Sequence, residues 1–472
     1  MKTVNPISTA SKTSTTVSTS TLFSYFLPEL ITVSVLYIGL EIINFSFLAY
    51  TEIELGNATL FLTNSLFHLI TKVAEGFSVG LVILSGNHNG VRDYTKAGRV
   101  FTDAFWTTAL IGSALSVALF YGAHVIYAFY EAPQQVIDIG VPYLQIRSIS
   151  ILLSFIYFAI IGFLRGIKNP QTPMMIFLMG AGVYLFFDYA LIFGRFGFPA
   201  LGLKGSAIAT VIQYGFMLIA ALLYVLLHSD LHRYNIRLFS RLRLSTIHEL
   251  FELSWPVMVD KASMALSPIW LNKMVGLTAK LSTVAAGKMM LDSYTVLKMM
   301  EKVGILPALA FAQVVTYLVS NDMALKPIAH IKDNIKKVLF ISCILVGCCT
   351  FLFCLKPQLF LTLLNKQNSY NVLIANTLPL IAILIIFDAV QIVLSAALRG
   401  ASQVKTVMMA RLLVTSFIFI PFTYIICRLS FINSLFKFML LYSSAHVSFA
   451  IMGFIYVYIF KNGSWKRPKH AE

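Results

Sequence analysis

Asp388 stands near the middle of an apolar run, Thr377 to Ala397, inside the string Phe387-Asp388-Ala389-Val390-Gln391. Asp188 stands in the same way between Met174 and Phe193. Carrying a charge to such a depth in a bilayer costs about 2.5–3.5 kcal/mol on insertion scales, so a carboxylate kept there has a use and faces a bundle interior or a wet cavity. Ion coupling is one such use. Low dielectric favours the neutral carboxyl, whereas a bound cation or a nearby lysine favours the carboxylate. A site that alternates between those settings can link H⁺ or Na⁺ flow to conformation.

A second set of residues could line a cavity. Asn64, His68 and Lys72 recur at i, i+4, and Glu75 follows three residues on, so all four share one helix face. Lys288 and Asp292 are also i, i+4, and Lys298 precedes Glu301 and Lys302. Against lipid such stripes are costly; paired with each other or facing a cavity they are not. A cavity holding Lys72, Lys288 and Lys298 beside His68, Glu75 and Asp292 suits anionic or zwitterionic compounds better than simple cations. Asp260-Lys261, after Pro256, reads as a local ion pair, and His88 and His124 read as interfacial. Four of the five cysteines lie in one apolar run with no His among them, a pattern that matches no metal site. No cofactor is expected beyond a coupling ion.

The elements that must position these groups are transmembrane helices. Of 472 residues, 58% are hydrophobic and 12% charged, far below the roughly 25% charged content of soluble domains. The net charge of +16 is scattered over short loops with no long basic stripe, which argues for membrane topology and against nucleic-acid binding. A span needs about 20 mostly apolar residues. Twelve candidates follow: 28–50, 59–85, 101–127, 139–163, 172–194, 201–228, 250–277, 283–319, 336–355, 371–397, 406–427 and 437–460. The eighth holds Pro307, so a bend is expected there. Residues 1–20 form a Ser/Thr-rich tail, 21–228 a first lobe, 229–249 a basic linker, 250–460 a second lobe and 461–472 a second tail. Positive charges concentrate on the side of both termini, which makes that side cytoplasmic. Leu164-Arg165-Gly166 and Leu398-Arg399-Gly400 are each followed nine residues on by a Met-Met motif, Pro173-Met174-Met175 and Val407-Met408-Met409. The copies lie 398 − 164 = 234 residues apart, about half the chain, as in two related lobes. Each arginine is read as a cation where a helix meets the cytoplasmic surface, with a gating contact as the alternative.

These strings carry a family resemblance. Leu164-Arg-Gly-Ile-Lys-Asn-Pro-Gln-Thr-Pro173, Phe187-Asp-Tyr-Ala-Leu-Ile-Phe-Gly194 and Phe198-Pro-Ala-Leu-Gly-Leu-Lys-Gly-Ser-Ala-Ile-Ala-Thr210 resemble the fifth and sixth spans of multidrug and toxic compound extrusion (MATE) transporters. Phe387-Asp-Ala-Val-Gln391 with Leu398-Arg-Gly400 resembles their tenth. The resemblance implies an all-α protein of twelve helices in two pseudo-symmetric six-helix lobes around a V-shaped cavity. It further implies rocking between outward and inward states, and export of small organic compounds against Na⁺ or H⁺ entry. Asp388 matches an acidic position of the family, with Gln391 beside it, and Asp188 matches a polar or acidic one. Where the family commonly has an acid in the first span, this chain has Asn44, and Glu41 on the same helix face could substitute. The expected setting is a bacterial inner membrane, with a monomer in the lipid bilayer and a small organic substrate. The alternatives are a flippase for lipid-linked sugars, and a membrane-embedded enzyme, for which no Ser/His, His/Asp or zinc motif is present.

Overall fold

The computed structural model describes residues 17–39, 54–129, 133–323, 325–358, 361, 372–429, 433–463 and 465. Glu41 and Asn44 lie outside the described residues. Every regular element among the described residues is helical, as a bilayer demands of backbone whose N–H and C=O groups have no water to bind.

The first six spans are Thr19–Ser34 (continued by a π-helical turn, Val35–Gly39), Glu54–Gly90, Tyr94–Phe129, Gln134–Gly166, Gln171–Phe193 and Leu203–Leu227. The seventh is Leu244–Lys280, the eighth Val284–Gly304 plus Leu306–Asp322, and the ninth Ile328–Leu355. Val372–Gly400, Val404–Arg428 and Ser434–Asn462 complete the set. Ten of these are individually long and apolar enough to cross a bilayer. The two arms of the eighth do so together, bent by 42° at Ile305, where Pro307 has no N–H to continue the ladder. The seventh is 37 residues long and more polar than those ten, with Asp260, Lys261, Asn272 and Lys273 along it.

Two boundaries differ from expectation. The first helix begins at Thr19, not near residue 28, because the Ser18 hydroxyl accepts the Thr21 N–H at 3.1 Å and caps it. The stretch assigned to a tail therefore already contains helix. Val17, just before it, is tied to the ninth span by hydrogen bonds with Asn334 and Lys337. The seventh helix begins at Leu244, inside the stretch assigned to the linker.

The two halves repeat the same packing. Gly166, ending span four, lies so close to Ser85 of span two that a Cβ would overlap its Oγ. Gly400, ending span ten, lies against span eight, where a Cβ would sit 2.6 Å from the Thr316 carbonyl oxygen. The halves meet at the face that carries the linker. Span two presents Gly76 to the Met258 backbone, 2.7 Å from where a Cβ would be, and Gly90 to the Asn321 carbonyl. Only glycine permits helices to approach so closely. Asn321 also donates to the Gly166 carbonyl at 2.8 Å, and Asn89 donates to the Asn321 amide oxygen at 2.7 Å. Span one crosses to the second half, with Phe26 stacked on Phe311 at 4.1 Å between ring centroids.

Candidate functional site: a charged cavity between the lobes and a buried acid cluster

Both Leu-Arg-Gly arginines turn into the bundle. Arg165 donates from Nε (2.9 Å) and Nη2 (2.7 Å) to the two carboxylate oxygens of Glu29 in span one. Arg399 donates to Ser395 Oγ at 2.8 Å and lies 3.7 Å from Asp260 in span seven. Spans one and seven are equivalent, and 260 − 29 = 231 matches the 234-residue repeat of the arginines. The reading of these arginines as surface cations is corrected: each sits opposite a buried carboxylate of its own half, where desolvation demands a counter-charge.

The halves differ in one respect. Asp260 is shared, because Arg411 of span eleven also bonds it, more closely than Arg399 does. Lys261 is not the partner of Asp260. Consecutive helical residues point about 100° apart, and Lys261 turns to the first lobe, 3.6 Å from Glu75. Glu75 already accepts from Lys72 at 2.9 and 3.0 Å, and Lys72 also donates to Tyr37 Oη at 2.8 Å. Arg165, Glu75, Lys261, Gln313, Arg399 and Arg411 line a cavity of about 150 Å³ between the lobes. One water needs roughly 10–15 Å³ of such volume, so this polar space has room for several.

Asp260 anchors two arginines, and Asp260, Arg399 and Arg411 are all buried. Asp260→Asn is therefore expected to destabilise the second lobe by about 3–5 kcal/mol, the usual cost of stripping the partner from a buried ion pair. Thermal unfolding of purified protein checks this, and an unshifted melting temperature would show that the network is dispensable.

A second cluster lies inside the second lobe. Asp388 Oδ2 is 2.7 Å from His446 Nδ1 of span twelve. Glu301 accepts from Lys298 at 2.8 Å and from Tyr442 Oη at 2.7 Å. One ligand atom from each of Glu301, Asp388 and His446 falls within 4.8 Å of the others. Asp388 Oδ1, His446 Nε2 and Tyr294 Oη are buried without a hydrogen-bond partner, so the cluster has spare capacity for a proton or a small cation. In the first lobe Asp188 is fully buried. Tyr184, Ser206 and Arg147 are its polar neighbours.

The other residues singled out from sequence divide between these places and the surface. Asn64 accepts from Arg147. His68 is exposed, one turn beyond Lys72. Gln391 is buried beside Gly453 of span twelve, off the cavity lining. Lys288 and Asp292, expected in the cavity, are exposed and line no part of it. They share a helix face with Lys302, farther out along the first arm of span eight. Sequence reasoning missed Glu29, Arg147, Arg411 and His446. It also missed that Lys72-Val-Ala-Glu75 and Lys298-Met-Met-Glu301 are one motif repeated at 298 − 72 = 226 residues, a signal present in the sequence.

Twelve helical spans among the described residues, in two equivalent halves, with Glu29, Asp188, Asp260 and Asp388 buried inside the bundle, define an integral membrane protein. The MatE family model matches residues 28–190 and 261–425, and its two segments begin 261 − 28 = 233 residues apart, in register with the internal repeat. The chain belongs to the MATE family of transporters. The probable multidrug resistance protein YoeA of Bacillus subtilis is 24% identical over 344 residues, 72% of each chain. A probable multidrug resistance protein NorM of Agrobacterium fabrum is 26% identical over 196 residues, 42% of each chain. A crystal structure of a MATE protein in the bent conformation superposes with a TM-score of 0.82 at 16% identity, covering 94% of this chain and 95% of the other.

Proposed function

We propose that this protein exports small organic compounds from a bacterial cell by proton-driven antiport, as a monomer in the inner membrane. Both termini and the basic linker face the cytoplasm under this reading, and the lobes as described are closed on that side. The observation that carries it is the Glu301–Asp388–His446 cluster, buried in the second lobe away from the central cavity. Its chemistry favours H⁺ over Na⁺. A hard cation prefers an all-oxygen shell, whereas a carboxylate hydrogen-bonded to an imidazole holds and releases a proton readily. Lys298 already neutralises Glu301, so the proton-binding pair is Asp388 with His446.

Protonation changes the charge of that pair, and with it the strength of its attraction to Glu301 and Lys298. Spans eight, ten and twelve, which carry these residues, would shift against one another in response. An ion gradient can move the lobes only through such a difference in affinity between states. The test is dye efflux from proteoliposomes under separate H⁺ and Na⁺ gradients. Transport that follows the H⁺ gradient alone is expected; transport that follows only Na⁺ would overturn the proton assignment.

A further inference from the structure

We infer that the central cavity binds the head group of an organic anion, an oxyanion on an apolar tail, so that the exported substrate is negatively charged or zwitterionic. This rests on the export reading for its direction, but on the cavity alone for its chemistry. Among the described residues, the ion pairs at the cavity or its edge join five cations, Lys72, Arg165, Lys261, Arg399 and Arg411, to three carboxylates, Glu29, Glu75 and Asp260. The sum is 5 − 3 = +2. The surplus has a definite place. Glu29 is fully used by Arg165, Glu75 is hydrogen-bonded to Lys72, and Asp260 to Arg411. Lys261 lies 3.6 Å from Glu75, whose two oxygens Lys72 already bonds, and Arg399 lies 3.7 Å from Asp260 Oδ2, an oxygen itself without a hydrogen bond; both distances are beyond hydrogen-bond reach.

Two further donors have no acceptor. Arg399 Nε and Arg411 Nη2 are buried without a hydrogen-bond partner, and both residues line the cavity. An unpaired buried donor on a charged group is costly. An oxyanion would supply acceptors to both forks and cancel the surplus, and guanidinium groups suit planar or tetrahedral oxyanions through paired N–H bonds. A cationic guest would add a third uncompensated charge. Val33, Leu36, Phe158, Phe177, Met264 and Leu309 line the remaining wall, which offers a tail an apolar surface.

The experiment is calorimetric titration of the full chain in zwitterionic nanodiscs, without any ion gradient, using hexyl phosphate, hexyltrimethylammonium and inorganic phosphate. Hexyl phosphate is expected to saturate one site at least tenfold more tightly than either of the others. Lys261→Met, which leaves Glu75 its bond to Lys72, is expected to weaken hexyl phosphate at least tenfold. Arg399→Lys, which keeps the charge but loses the fork, should weaken it severalfold, and the surface control Lys326→Met should not. Tighter binding of the ammonium compound, or hexyl phosphate binding untouched by Lys261→Met, would overturn the inference. Inorganic phosphate binding as tightly as its hexyl ester would overturn the amphiphile assignment. Because no gradient is applied, failure here leaves proton coupling standing, and failure of coupling leaves this binding result standing.

Discussion

Proteoliposomes carrying Asp388→Asn are expected to lose gradient-driven transport down to the level of empty liposomes, while the protein still inserts and purifies. The amide is close in size to the carboxyl and can still meet His446 Nδ1, 2.7 Å away in the native protein. What it cannot do is change charge. A site that binds a proton equally poorly in both conformations gives the gradient nothing to act on. Asp388→Glu keeps the charge with one extra methylene in a buried site, and is expected to retain partial transport. His446→Gln tests the other half of the pair and should lower transport without abolishing binding of the transported compound. Wild-type efflux by Asp388→Asn would remove this residue from the mechanism and move attention to Asp188, the buried carboxylate of the first lobe.

The second large effect concerns closure at the linker face. Gly76→Leu and Gly90→Leu place a side chain where the Met258 backbone and the Asn321 carbonyl now lie. Neither obstacle is a side chain that can swing aside. Overpacking of this kind costs about 1–3 kcal/mol per site, a factor of roughly 5–150 in the balance between closed and open lobes. Both variants are expected to stop transport by holding the lobes apart on that face. The measurement is labelling of Thr316→Cys, a residue of the cavity lining, by a membrane-impermeant maleimide added from the linker side. The chain without that cysteine serves as background. Labelling should rise by about fivefold or more in either glycine variant. Labelling at the native rate, with normal transport, would show that the glycines are not part of a seal.

Much of this molecule was legible before any coordinates. Twelve spans follow from apolar run lengths, because a bilayer leaves an uninterrupted helix as the only way to bury backbone polar groups. The bend in the eighth span follows from Pro307, whose ring removes a donor. The duplication follows from two Leu-Arg-Gly copies 234 residues apart. Asp388 was legible as a buried carboxylate, since a charge in an apolar run must be sheltered from lipid.

Partnership was not legible, because it joins residues on different helices at distances along the chain that no helical period encodes. Glu29 reaches Arg165 across 136 residues, Asp260 reaches Arg411 across 151, and Asp388 reaches His446 across 58. Asp260 and Lys261 are neighbours in sequence, yet the helix turns them toward different lobes. Lys288 and Asp292 show the converse: their spacing made them a plausible cavity pair, and packing left them exposed. Residue types and run lengths alone established a two-lobed helical membrane protein with charges it must shelter. Which charge neutralises which was decided by how the helices pack, since electrostatic pairing depends on distance in space and not along the chain.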